Sequence, residues 1–118
     1  MLQRADAIGD KKIIASALNN LGGLLWQRDD LESAQQYLQQ ALVHWRELGN
    51  KLGILKTLSN LGIIAVKQAN FERASVLNAE SLALSRELDD RRSIALSLNN
   101  MGEIALHQGN YDVAHAFY

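Results

Sequence analysis

The phrase Leu18-Asn19-Asn20-Leu21-Gly22 returns as Leu58-Ser59-Asn60-Leu61-Gly62 and again as Leu98-Asn99-Asn100-Met101-Gly102, each time 40 positions on, and Ala34, Ala74 and Ala114 each follow the glycine by 12. Self-similarity at a fixed period of roughly 20 to 50 residues marks a repeat array, in which one supersecondary unit cannot bury its apolar face alone and stacks on its neighbours. A chain of this kind works through a surface, and no enzyme activity is expected of it.

One period shows how the unit is built. With about 100° of turn per residue, Ile14, Leu18, Leu21, Gly22 and Leu25 share one side of a helix, predicted over residues 11–27. Asp29-Asp30 follows, matched by Ala69-Asn70 and Gly109-Asn110, each ahead of Leu31-Glu32, Phe71-Glu72 or Tyr111-Asp112. An Asp or Asn that accepts from free amide donors, with a carboxylate in the next turn, starts a helix. The second helix buries Leu31, Ala34, Leu38, Ala41, Leu42, Trp45 and Leu48 and ends at Gly49-Asn50, as an earlier one ends at Gly9-Asp10. Glycine there supplies the left-handed residue that closes a helix, and Asp89-Asp90 fills the same slot less comfortably. With such short turns, successive helices are antiparallel neighbours. Residues 1–118 read as one all-α array: 1–8 match the end of a second helix, and repeats follow at 11–48, 51–88 and 91–118, the last cut short.

Gly22 lies mid-helix, where glycine costs about 1 kcal/mol relative to alanine. Its return at Gly62 and Gly102, always with an alanine 12 residues on, predicts that each glycine admits the second helix at its alanine: Ala34, Ala74 and Ala114. This pattern resembles the tetratricopeptide repeat family, which has that small residue in the first helix, the alanine in the second and large apolar residues around both. The frequent tryptophan of the family is replaced by Leu18, Leu58 and Leu98. Its proline near the end of the second helix is absent, Arg46 and Arg86 standing in that region. Without proline each pair of helices gains about one more turn, which fits 40 residues against the usual 34 or so. Long-period arrays in spindle-orientation adaptors and in bacterial multidomain signalling ATPases and transcription regulators are similar.

The resemblance implies a right-handed superhelix of antiparallel helix pairs whose first helices line a concave peptide-binding face. The side opposite Leu18 carries Ser16, Asn20, Gly23 and Gln27 in the first repeat, Lys56, Asn60, Ile63 and Lys67 in the second, and Leu96, Asn100, Glu103 and His107 in the third. Asn20, Asn60 and Asn100 form a ladder of side-chain amides, which offer both donors and an acceptor to an extended peptide backbone. The alternative, favoured because asparagine is common at this place in the repeat with or without a ligand, gives these amides a local solvent or interhelical role. Lys56 and Lys67, with Glu103 beyond, predict a ligand acidic opposite the middle repeat. Two lysines are too few for the family's clamp on a C-terminal carboxylate. Function is thus expected to be that of a protein- or peptide-binding scaffold inside a larger signalling or regulatory protein. The alternative is a linker or self-assembly module without a separate ligand.

Composition excludes other classes. Twelve Lys and Arg against thirteen Asp and Glu leave a net charge of −1, so nothing draws the chain to nucleic acid or anionic membrane. The chain has no cysteine, which removes disulfides and thiolate metal sites and suits a reducing, cytoplasmic setting. No apolar run approaches the roughly 20 residues that span a bilayer. His44, His107 and His115 lack helical metal-site spacing, Gly22-Gly23 is no phosphate loop, and no cofactor is expected. Trp26, Val66 and Leu106 flank the face, as anchors or as packing against the next repeat. Asn78, Ser81 and Ser85 replace Leu38, Ala41 and Trp45, so the second helix of the middle repeat buries a polar face, either loosely packed or hydrogen-bonded. Finally, Leu2, Ala5 and Ile8 at one end and Tyr111, Ala114 and Tyr118 at the other predict head-to-tail stacking of copies.

Overall fold

Four helix junctions, spaced 20 residues apart, set the architecture. The computed structural model describes the backbone of residues 4–108 and the side chains of 9–108, and these contain five helices: α1 (Arg4–Gln27), α2 (Leu31–Leu48), α3 (Lys51–Lys67), α4 (Phe71–Glu87) and α5 (Arg91–His107). At each junction one residue takes the left-handed conformation: Asp29 at φ 65°, Gly49 at 64°, Ala69 at 59° and Asp89 at 52°. Its N–H donates three residues back, and the next N–H donates five back: Asp30 to Leu25, Asn50 to Trp45, Asn70 to Ala65 and Asp90 to Ser85, all at 2.8–3.1 Å. That pairing satisfies the carbonyls left open where a helix stops. The same Asp or Asn then turns its side-chain oxygen to the next helix, Asp30 Oδ1 accepting from Ser33 N–H, Asn50 from Gly53, Asn70 from Arg73 and Asp90 from Ser93. One residue pair thus ends one helix and begins the next. The turn chemistry repeats every 20 residues, half the period of the apolar pattern.

The helix end expected at Gly9-Asp10 is not formed, because α1 runs through it and Gly9 does not take positive φ. A glycine inside a helix costs about 1 kcal/mol. A closing turn breaks the hydrogen-bond ladder and is favoured only where the helix before it docks on the one after. The junction at Gly109-Asn110 lies outside the described residues.

By internal contacts the chain divides into residues 1–60 and 61–118. In the first unit α1 and α2 are antiparallel, with Lys11 Nζ 2.8 Å from Glu47 Oε2 at one end and Gly22 against Leu38 nearer the other. The pairing lowers the Glu47 carboxyl below its ordinary range, first through the hydrogen bond from Lys11 and then through its charge. A Cβ on Gly22 would lie 2.7 Å from Leu38 Cγ and 3.4 Å from the Ala34 carbonyl, so here glycine does admit the second helix at its alanine. Trp45 packs its indole face on Gly53, where a Cβ would collide with the ring. Ala15, Ala41 and Trp45 form the centre of this core, with Leu18, Leu48 and Ile54 around it.

The second unit departs from that plan. Gly62 is buried, yet nothing lies within 4 Å of where its Cβ would be, so the close approach predicted for it is absent. The counterpart of Leu38 is Asn78, whose side chain is committed elsewhere: its Nδ2 donates to the Ser97 carbonyl of α5 at 2.8 Å. Ser81 and Ser97 hydroxyls lie 3.5 Å apart, and Ser85 donates to the Ser81 carbonyl at 2.7 Å. All four residues are buried. The polar face is therefore a hydrogen-bonded seam, on which α4 and α5 pack antiparallel, from Phe71 beside His107 to Asn78 beside Ser97.

Candidate functional site

Each unit has one cleft of interest, and both lie on the helices that the repeat pattern assigns to the binding face. The first, about 340 Å³, is lined by Lys12, Ser16, Asn19 and Asn20 of α1, Trp45 of α2, Asn50 at the junction, and Leu52, Gly53 and Lys56 of α3. Asn50 reaches it because the residue that caps a helix start stands at the helix mouth, its oxygen held 2.9 Å from Gly53 N–H. Thr57 supports the wall from behind. Its hydroxyl lies 2.8 Å from the Gly53 carbonyl and 2.9 Å from Asn19 Oδ1, and with one proton it donates to one of them at a time. Trp45, 5% exposed, keeps its indole nitrogen buried without a partner among the described residues.

The second cleft, also about 340 Å³, is lined by Ile63, Val66 and Lys67 of α3 and Asn100, Glu103 and His107 of α5. The His107 ring stacks on Phe71 with centroids 5.2 Å apart and planes 13° from parallel, which fixes one wall. Apolar, cationic, anionic and amide groups meet here in one concavity.

Of the sequence-predicted face, the second cleft unites Ile63, Lys67, Asn100, Glu103 and His107, and the first holds Asn20 and Lys56. Gln27 and Asn60 are exposed and line neither. Asn20 is exposed and Asn100 half-buried, and none of the three ladder amides has a side-chain hydrogen bond among the described residues. Trp26 and Leu106, on the flank, are 37% and 38% exposed, while their counterpart Val66 lines the second cleft. Sequence reasoning missed Lys12, Asn19, Asn50 and Gly53. The spacing of Asp10, Asp30, Asn50, Asn70 and Asp90 at 20-residue intervals would have exposed Asn50 as a cap.

Among the described residues no cluster of three or more His, Cys, Asp or Glu could hold a metal ion, and no helix is long and apolar enough to cross a membrane. His115, with Tyr111, Ala114 and Tyr118 of the predicted stacking end, lies outside them, as do the side chains of Leu2, Ala5 and Ile8.

The fold is similar to that in the crystal structure of the TPR domain of Arabidopsis FLU, with a TM-score of 0.86 over 92% of this chain and 91% of that chain at 19% identity. No curated protein matches the sequence. The family model for the tetratricopeptide repeat matches residues 13–87, well over half of the chain, which takes in both helices of the first two repeats and the small-residue contacts of Gly22 and Gly53. The chain belongs to the tetratricopeptide repeat family.

Proposed function

We propose that this protein is a peptide-binding scaffold, that the repeats run over 11–48, 51–88 and 91–118, and that the face of α1, α3 and α5 receives an extended, acidic segment of a partner protein within a cytoplasmic signalling or regulatory assembly. One observation carries the reading: five side chains chosen from the repeat pattern alone line a single cleft in the second unit. A carboxamide, a cation, an anion and two apolar groups within one concavity suit a peptide, which brings backbone and side chains together. Asn60, exposed on α3, stands at the repeat position that Asn100 takes on α5.

The test is a titration with acidic, neutral and basic peptides. Asn100→Ala or Asn60→Ala should weaken the acidic peptide by roughly 5- to 30-fold, the equivalent of about 1 to 2 kcal/mol, with an unchanged melt. Tighter binding of the basic peptide, or no binding of any, would refute the reading.

A second reading, self-assembly, has its own support. Ile13 (69%), Ile14 (44%), Leu21 (38%) and Leu24 (48%) are exposed on α1, although Leu61 and Ile64, at the positions of Leu21 and Leu24 one repeat later, are 1% exposed. Such a patch marks an interaction surface. Sedimentation showing a monomer at millimolar concentration would remove self-stacking.

A further inference from the structure

The cleft of the first unit carries positive charge and lacks acid. Lys12 and Lys56 line it, no Asp or Glu does, and neither lysine has an ion-pair partner among the described residues. Glu47, two residues from Trp45, is held instead by Lys11 at 2.8 Å. The local structure also decides which end of one amide is on offer. Asn50 must accept from Gly53 N–H to start α3, so its Nδ2 group is left as a donor. Trp45 contributes its apolar ring to the wall. Two ammonium groups, an amide donor and a hydroxyl from Ser16 around one apolar ring suit a compact anion that bonds through oxygen. The second cleft has Glu103 in its lining and lacks this bias. The volume is at the small end for ligand sites and matches one or two side chains.

We propose that the first cleft is an oxyanion subsite, which takes a carboxylate or phosphate group borne by a peptide side chain, with Lys12 and Lys56 as its cations and Asn50 as the orienting donor. The proposal rests on the peptide-binding reading and names what one of its two clefts selects. Lys12 and Asn50 lie outside the side-chain row opposite Leu18, so this subsite is formed by the turn chemistry of the α2–α3 junction together with α1.

The experiment is an NMR titration of the isotope-labelled chain with three blocked eight-residue peptides of alanine and leucine, carrying two central glutamates, two phosphoserines or two glutamines. The glutamate and phosphoserine peptides should shift the Asn50 side-chain amide and the Lys56 backbone, and the glutamine peptide should not. The stronger of the two identifies the oxyanion, and either order supports the subsite. Lys12→Gln with Lys56→Gln should lower affinity roughly tenfold at low salt, and Lys12→Glu with Lys56→Glu should abolish it. Both lysines are exposed, so both variants should melt as the parent does. Equal shifts from inorganic phosphate or acetate alone would overturn the assignment to peptide. Shifts confined to Ile63, Asn100 and Glu103 would overturn the subsite and leave the scaffold reading standing. No shift from any peptide would overturn both.

Discussion

A single residue illustrates how an equivalent position is filled at different cost. The left-handed slot at each junction holds Asp29, Gly49, Ala69 and Asp89, and only Gly49 is free of a Cβ penalty. Aspartate tolerates the slot because its short polar side chain bonds locally, but alanine has no such compensation, and left-handed φ costs an L-residue about 1 to 2 kcal/mol. Ala69→Gly should therefore stabilise the protein by about 0.5 to 1 kcal/mol after the larger entropy of unfolded glycine is subtracted, read as a higher midpoint in urea. A lower midpoint would show that the junction is not strained. At the exposed pair of Lys11 and Glu47 the sign runs with pH. The folded carboxyl titrates below its unfolded value, so the contribution is present above the ordinary carboxylate range and is lost as pH falls through the folded pKa. Melts of Lys11→Met and the parent should differ slightly at neutral pH and converge in acid.

Between elements, what decides is which partner a glycine faces. Gly53 accommodates the indole of Trp45, and Gly22 the isobutyl of Leu38, whereas nothing lies within 4 Å of the Cβ position of the buried Gly62, the counterpart of Leu38 being Asn78, which donates to the α5 backbone. Gly53→Ala should destabilise by about 1 to 3 kcal/mol despite its better helix propensity, since a buried, rigid ring cannot give way. Gly62→Ala should stabilise by about 1 kcal/mol. Asn78→Leu would restore the side chain that covers Gly22 in the first repeat, exchanging a hydrogen bond of about 1 kcal/mol for burial of about 2 kcal/mol. In that background Gly62→Ala should become destabilising, and additivity in the double-mutant cycle would refute the proposed packing.

At the scale of the whole molecule, the two units have different interiors: Trp45, Ala15 and Ala41 in the first, and the seam of Asn78, Ser81, Ser85 and Ser97 in the second. Repeat arrays sum local stabilities, so unequal interiors should unfold unequally. Both tryptophans, Trp26 and Trp45, belong to the first unit, which makes indole fluorescence its own reporter. Circular dichroism should lose helix at lower urea than fluorescence changes, and coincident curves would show the two interiors to be equally stable. Legible in the sequence alone were the helix pairs, the caps at Asp30 and Asn70 and the grouping of Ile63, Lys67, Asn100, Glu103 and His107, which line one cleft. Helical periodicity and capping chemistry act within a few residues, and a 40-residue repeat projects them along the chain. Three features were decided only by tertiary structure: that α1 continues through Gly9-Asp10, that no atom closes on the Cβ position of Gly62, and that Lys12, Asn50 and Trp45 share a cleft. Each depends on what a neighbouring helix brings to the spot, and a periodic pattern assigns equivalent positions equal roles even where their partners differ, as Leu38 and Asn78 do.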